Sequence, residues 1–472
     1  MVAFAMSPGS GHEVVVVRVR WLVLAAFLGT ASAGGPSRAE EDSSRPAPVD
    51  RAAMAARVRE ELRFAWRAYE QYAWGHDELR PVSKTAHDWH AVSLCMTPVD
   101  ARDALLLMGL TQEAEKAQAL IHEKLSFDAD ISVKNFEITI RILGGLLSSY
   151  QMTGDARLLR LAEDLGTRLL PVFDSPTGMP YMYVNPKTGK VRGARTNPAE
   201  IGTLLLEFGT LARLTKRPVF YDRPKRAVVQ LYERRSKLGL VGEEIDVETG
   251  EWVSRASHVG GGIDSYYEYL LKCARLFGDA ECAKMWRASR RALDDHLADA
   301  VPADSTAPQG DLRLWYGQVD MTTGERTASE FGALHAFLPG VLVLAGDRER
   351  ARRLQESCYA MWNLHGIEPE VLDYRKMQVV HAGYPLRPEI VESAYYLYRA
   401  TKDPRYLDMG RTFFEALVVH CRTDAGYTTL RNVVTKERGD LMPSYFLAET
   451  LKYLYLLFAP DVSVKSPKRI ER

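Results

Sequence analysis

The chain is poor in cysteine and has no acceptor triplet for N-linked sugar. Five cysteines, Cys95, Cys273, Cys282, Cys358 and Cys421, are scattered through 472 residues without CxxC spacing. That excludes a disulfide-dense scaffold and offers no thiolate zinc motif. Cys273 and Cys282 fall on adjacent expected helices and could pair, but buried thiols are the default for all five. No Asn-x-Ser/Thr sequence occurs, so nothing points to glycosylation of the chain itself. Neither sign of charge dominates, since 61 Lys+Arg balance 61 Asp+Glu, and no Lys/Arg-rich run stands out. An electrostatic footprint for nucleic acid or an anionic membrane is therefore excluded. Long apolar runs are missing too, and the stretch from Trp21 to Leu28 is too short to span a bilayer. With Arg18 and Arg20 before it and Ala31-Ser32-Ala33 after it, residues 1–33 read as a signal peptide. Export to a periplasm or the medium is expected, without stable membrane insertion. Residues 34–50, rich in Pro, Ser, Glu and Asp, read as a disordered linker.

What the chain has in quantity is helical periodicity. After an amphipathic helix from Arg51 to Trp74 and the irregular stretch HDELRPVSKTAHDW, turn signals recur at Met108-Gly109, Gly154-Asp155, Lys216-Arg217-Pro218, Gly278-Asp279, Gly346-Asp347 and Lys402-Asp403-Pro404. Each separates two helix-length segments, the mark of a repeated helical hairpin. Segments after the turns are amphipathic. Those before them are apolar nearly all round: Asp100 to Leu110, Val133 to Tyr150, Ala199 to Leu214, Gly262 to Phe277, Phe331 to Leu344, Pro388 to Ala400 and Tyr445 to Phe458. Seven buried helices wrapped by outer ones predict an all-α fold, an (α/α)7 barrel over residues 51–460 with a tail at 461–472. Short strands such as Tyr181 to Val184 predict β-hairpins at one mouth.

Each inner segment carries ionisable residues near its start: Asp100 and Asp103, Glu137 with Arg141, Glu200 with Glu207, Asp264 with Glu268, Glu330 with His335, Glu389 with Glu392, and Glu449. In LRPEIVESAYYLYR, Glu389, Glu392 and Tyr396 share one face of an otherwise apolar helix, with Arg387 as the nearby partner. Burying an ionised carboxylate costs several kcal/mol unless it is compensated. Core salt bridges would account for one such helix; seven helices bringing acids to one end predict a site. Carboxylates accept hydrogen bonds from hydroxyls, aromatic faces pack on sugar rings, and paired acids are the equipment of glycoside hydrolysis.

YAWGHDELRP, NFEITIRILGGLLSSY, AEIGTLLLEF, GGIDSYYEYLLK, FLPG, LRPEIVES and FLAETLKYLYLLF, in collinear order from Tyr72 to Phe458, resemble the class I α-1,2-mannosidases, glycoside hydrolase family 47. The resemblance implies the seven-hairpin barrel, exo-cleavage of terminal α-1,2-linked mannose from high-mannose type glycans with inversion, and a calcium ion at the barrel floor. By motif, Glu137 resembles the general acid, Glu389 the base that activates water, and Asp264 the third essential acid. Arg141, Glu200, Arg387, Glu392 and Glu449 match sugar-binding or calcium-water-binding positions, and Tyr445 the ring beneath the mannose. No direct metal ligand is identified, and Glu389, Glu392 and Glu449 are the water-mediated candidates. The family's threonine ligand segment is replaced here by APDVSVKSPKRIER, and Pro443 stands where an acid is usual, so weakened calcium binding is expected. The family's usual disulfide is also missing, since Ala336 offers Cys358 no partner. Gly262, where the glycan-trimming members have arginine, and the form of the sixth hairpin look closer to the ER degradation-enhancing branch. Three readings follow: a monomeric exported mannosidase; a catalytically weak or inactive mannose-glycan-binding protein of the same fold; and a barrel hydrolase acting on another glycoside.

Overall fold

The computed structural model describes residues 48–302 and 312–460. The expected signal peptide, most of the linker and the tail lie outside the described residues. Seven inner helical segments form a ring, each packed on the next, with an outer helix behind each. The outer helix of the seventh hairpin is the first of the chain: Arg51–Tyr72 packs on Leu451–Phe458, and the Arg51 guanidinium donates to the Ala459 carbonyl at 2.5 Å. The two ends of the domain thus close the ring.

The turns work by a division of labour between neighbouring residues. Gly154, Gly278 and Gly346 adopt left-handed φ values of 74°, 69° and 96°, ending an inner helix where a Cβ would be strained. The next residue caps the outer helix: Asp155 accepts from Arg157 N, Asp279 from Cys282 N and Asp347 from Arg350 N, satisfying otherwise orphaned donors. Gly109 does the same in the first turn with φ of 70°, and Lys216 and Lys402 take the left-handed place in the remaining two, with φ of 59° and 60°. A side chain in that conformation costs about 1 kcal/mol. Lys216→Gly is accordingly expected to raise stability by up to about 1 kcal/mol, measurable as a higher urea midpoint with unchanged slope.

Several inner segments are discontinuous. The first runs as Met96–Asp100 and Arg102–Leu107, and the third as Pro198–Gly202 and Leu205–Thr215. Thr139–Leu143 and Phe446–Thr450 are π-helical turns that carry Arg141 and Glu449, the kind of local widening found at functional positions. The fifth segment departs from expectation. Glu330–Gly332 is a strand, the helix begins as a 3-10 turn at Ala333–Phe337, and Glu330 is exposed. Glu330 is therefore not one of the converging acids. Short antiparallel strands in sheets of two or three connect each outer helix to the next inner one, so they gather at the end where the inner helices begin. Among the described residues no helix is long and apolar enough to cross a membrane.

Candidate active site

Helix starts bring the three expected catalytic acids to the same end of the barrel. Glu137 lies in Asn135–Ile138, Asp264 opens Asp264–Phe277 and Glu389 opens Glu389–Thr401. All three remain partly accessible, whereas Glu200, Glu392, Glu449 and Arg141 are buried around them. One layer is open to a ligand, and the next supports it.

Arg141 ties the second helix into the site. Its guanidinium contacts Glu137 Oε2 at 2.9 Å and lies 3.6 Å from Asp100 Oδ2. It also sits 5.0 Å from the Tyr445 ring centroid and 5.9 Å from that of Trp89, so two aromatic faces hold the cation. Trp89 is a residue that sequence reasoning missed. It follows the hairpin Glu78–Arg80/Thr85–His87, a loop organised by buried Asp77, whose carboxylate accepts from the backbone N–H of Trp89, Leu94 and Met96. Glu200 accepts from Lys134 Nζ at 2.8 Å, a second basic group at the mouth that the motifs did not single out.

Around Glu389 the backbone itself is strained. Leu386, fully buried, has φ of 65°, a left-handed value that a non-glycine residue keeps only when its surroundings over-determine it. They do: Thr450 Oγ1 donates to the Leu386 carbonyl at 2.8 Å, and Tyr445 OH donates to the Pro385 carbonyl at 2.6 Å. The seventh inner helix therefore aims the segment that presents Arg387 and Glu389. Thr450→Val removes one of these hydrogen bonds, worth about 1 kcal/mol. A fall in kcat of roughly five- to tenfold is expected, with KM little changed and Thr450→Ser close to the parent, as steady-state kinetics would read.

The partner of Arg387 differs from the sequence expectation. It pairs with Glu370, through Nε to Oε2 at 3.1 Å and Nη2 to Oε1 at 2.5 Å, not with the acids of its own helix. Its charge still acts on both Asp264 and Glu389. Burial pushes Glu389 up to about 8 against the pull of Arg387. Asp264 is raised by burial, opposed by the Ser265 N–H at 2.6 Å. Glu368 is buried, both its carboxylate oxygens lack a partner, and burial followed by the charges of Glu389 and Glu370 holds it well above the usual carboxylate range. It was not anticipated from the sequence.

Below these lies a compensated floor. Lys272 Nζ is 2.5 Å from Glu268 Oε1 and 3.6 Å from Glu392 Oε1, and Tyr453 OH donates to Glu392 at 2.8 Å. Tyr269 OH donates to Glu207 at 2.8 Å, and burial pushes Glu207 up to about 7. Lys452 Nζ lies 3.1 Å from Asp103. Gly262, at φ of 91°, holds a backbone conformation in which an arginine would be strained.

Oxygen donors in this floor suit a hard cation. Glu389 Oε2 is buried and without a partner, whereas Glu392 Oε1 is already shared by Tyr453 and Lys272. Among the described residues, these floor carboxylates do not bring three donor atoms within 4.8 Å of one another, so by themselves they form no direct three-carboxylate cage.

Comparison with known proteins places the fold in a family. The chain matches the profile of Glycosyl hydrolase family 47 over residues 61–470. It is 37% identical over 451 residues to Alpha-mannosidase I MNS5 of Arabidopsis thaliana, covering 89% of this chain and 76% of that protein. With the human ER degradation-enhancing alpha-mannosidase-like protein 2 it shares 38% identity over 436 residues, covering 89% and 72%. The solved structure of an alpha-1,2-mannosidase from Trichoderma reesei superposes with a TM-score of 0.79 at 26% identity, over 86% of this chain and 94% of that one. An (α/α)7 barrel with its acids gathered at one end, matched along almost its whole length, belongs to glycosyl hydrolase family 47.

Proposed function

We propose that the chain removes terminal α-1,2-linked mannose from high-mannose type glycans with inversion at the anomeric carbon. The observation that carries this reading is the shared end of Glu137, Asp264 and Glu389, each at a helix start, with Tyr445 between Arg141 and the Leu386–Glu389 segment. Inversion needs one carboxyl to protonate the leaving oxygen and another to activate water on the opposite face. Glu137 is the acid. Arg141 engages its Oε2, leaving the other oxygen to pass a proton to the glycosidic oxygen, directly or through water. Glu389 is the base, with Arg387 favouring its carboxylate form. Asp264, held by the Ser265 N–H and hydroxyl, accepts hydrogen bonds from the sugar or the attacking water. Arg141, Glu200 and Arg387 orient the mannose, and the Tyr445 ring packs beneath it.

Calcium would be held through waters bonded to Glu389, Glu392 and Glu449, and it would supply positive charge that favours the ionised base. With Glu389 pushed up to about 8, the base is mostly protonated near neutrality when no cation assists it. That observation favours, as the second reading, a weak enzyme that acts mainly by binding mannose glycans. Proton NMR with an α-1,2-mannobioside, run with calcium and again with EDTA, separates the two. Release of β-mannose supports the enzyme, and its loss in EDTA supports the metal. Binding without release in both tubes leaves the glycan-binding reading.

A further inference from the structure

A second cluster lies in the outer wall, away from the acids. The turn Gly278-Asp279 joins Asp264–Phe277 to Ala280–Ala292 and brings Cys273 and Cys282 face to face. Their sulfurs and an Asp279 oxygen all lie within 4.8 Å of one another, and both cysteines are fully buried. The mannosidase chemistry uses neither.

We infer that Cys273 and Cys282 are a modification site, an oxidisable dithiol that closes to a disulfide through exchange with a small external disulfide. Three features support this over a metal site. First, Asp279 has no carboxylate oxygen to spare: Oδ1 accepts from Cys282 N at 2.8 Å, and Oδ2 accepts from Tyr221 OH and Lys225 Nζ, both at 2.6 Å. Second, the Lys225 ammonium lies 3.5 Å from Cys282 Sγ, where a metal ion's charge would otherwise sit. That cation favours the Cys282 thiolate, the form that attacks a disulfide. Third, a cavity of 490 Å³ opens beside the pair, lined in part by Phe277, Tyr221 and Asp279. Tyr221 OH is 3.7 Å from Cys273 Sγ, so Tyr221 and Asp279 belong both to the cavity wall and to the surroundings of the thiols.

The exchange balances as follows. The Cys282 thiolate attacks one sulfur of the external disulfide, breaking its S–S bond and releasing a thiolate that takes up a proton. Cys273, losing its proton to solvent, attacks Cys282 in the mixed disulfide and releases the second small thiol. Two electrons pass from the cysteine pair to the external disulfide, which leaves as two thiols. The facing Cys273 thiol and then burial keep Cys282 mainly protonated, so the exchange is slow. The product pins one end of the helix whose other end presents Asp264.

The test is incubation of the purified full chain with glutathione disulfide, followed by alkylation under unfolding conditions and peptide mapping. Trypsin cuts after Lys272, Arg275 and Lys284, so the expected result is the fragment Cys273–Arg275 joined to Leu276–Lys284 by a reducible link. Cys282→Ser is expected to abolish the link, and the oxidised parent is expected to melt at a higher temperature than the reduced one with mannose release unchanged. Recovery of both cysteines alkylated after prolonged incubation overturns the proposal. So does retention of one equivalent of zinc by the reduced protein with protection of both thiols, which would make the cluster a metal site. Neither outcome depends on the mannosidase assignment.

Discussion

Glu389→Gln is expected to lower kcat for an α-1,2-mannobioside by about 10²- to 10⁴-fold, the range supplied by a positioned general base, while the melting temperature holds or rises. The amide keeps the shape of the side chain but has no proton affinity, so water is no longer activated. Stability is not expected to suffer, because burial already pushes the parent carboxyl up to about 8 and a neutral amide spares the fold that desolvation. The same shift sets the pH dependence. A base must be ionised to act, so in EDTA kcat/KM is expected to rise with pH through a limb near 8. A parent limb near the ordinary carboxylate value of about 4.3, or a Glu389→Gln protein with parental turnover, would remove Glu389 from the role of base.

Local chemistry made most of the fold legible. Three of the six turns were readable because a left-handed helix end favours glycine and a helix start favours aspartate, and Gly154-Asp155, Gly278-Asp279 and Gly346-Asp347 place the two side by side. The apolar inner helices were readable because nothing but a protein interior tolerates them. Periodicity failed at Phe331, where an apolar run carries the same signal whether it begins as strand or helix; the strand Glu330–Gly332 pairs with Val371–Asp373, a contact no local pattern contains. Partners across the site were the least legible. Arg387 finds Glu370, 17 positions earlier on a separate connection, although Glu389 is nearer in sequence. Lys272 and Lys452 were invisible as floor cations, because a lysine one helical turn past a glutamate reads equally well as a surface pair. Glu368 alone left a trace: two acids astride a proline in Ile367-Glu368-Pro369-Glu370, flanked by apolar residues, is an uneconomical sequence unless a cavity or a charge awaits it.

Lys272→Met is the substitution expected to damage the fold most. The lysine is the cation of a buried three-charge cluster, 2.5 Å from Glu268 and 3.6 Å from Glu392, and removing one partner of such a cluster leaves uncompensated carboxylates worth about 3–5 kcal/mol of stability. The deficit has a sign in pH. Burial already raises Glu392 above its ordinary value, with Lys272 as the main opposing influence, so losing the lysine raises it further. The native protein then keeps a proton that the unfolded chain has released, and stability falls as pH rises between the two values. Urea unfolding should therefore show a larger deficit at about pH 8 than at about pH 5, where the carboxyls of the unfolded chain are also gaining protons. Replacing all three charges together, with Glu268→Leu and Glu392→Met added, is expected to recover much of the loss, since an apolar trio of similar volume matches or exceeds a buried ionic one. That triple variant is expected to lose activity, because Glu392 is one of the acids proposed to hold the waters of a bound calcium. A Lys272→Met protein as stable as the parent at both pH values would mean that the lysine is not what compensates Glu268 and Glu392.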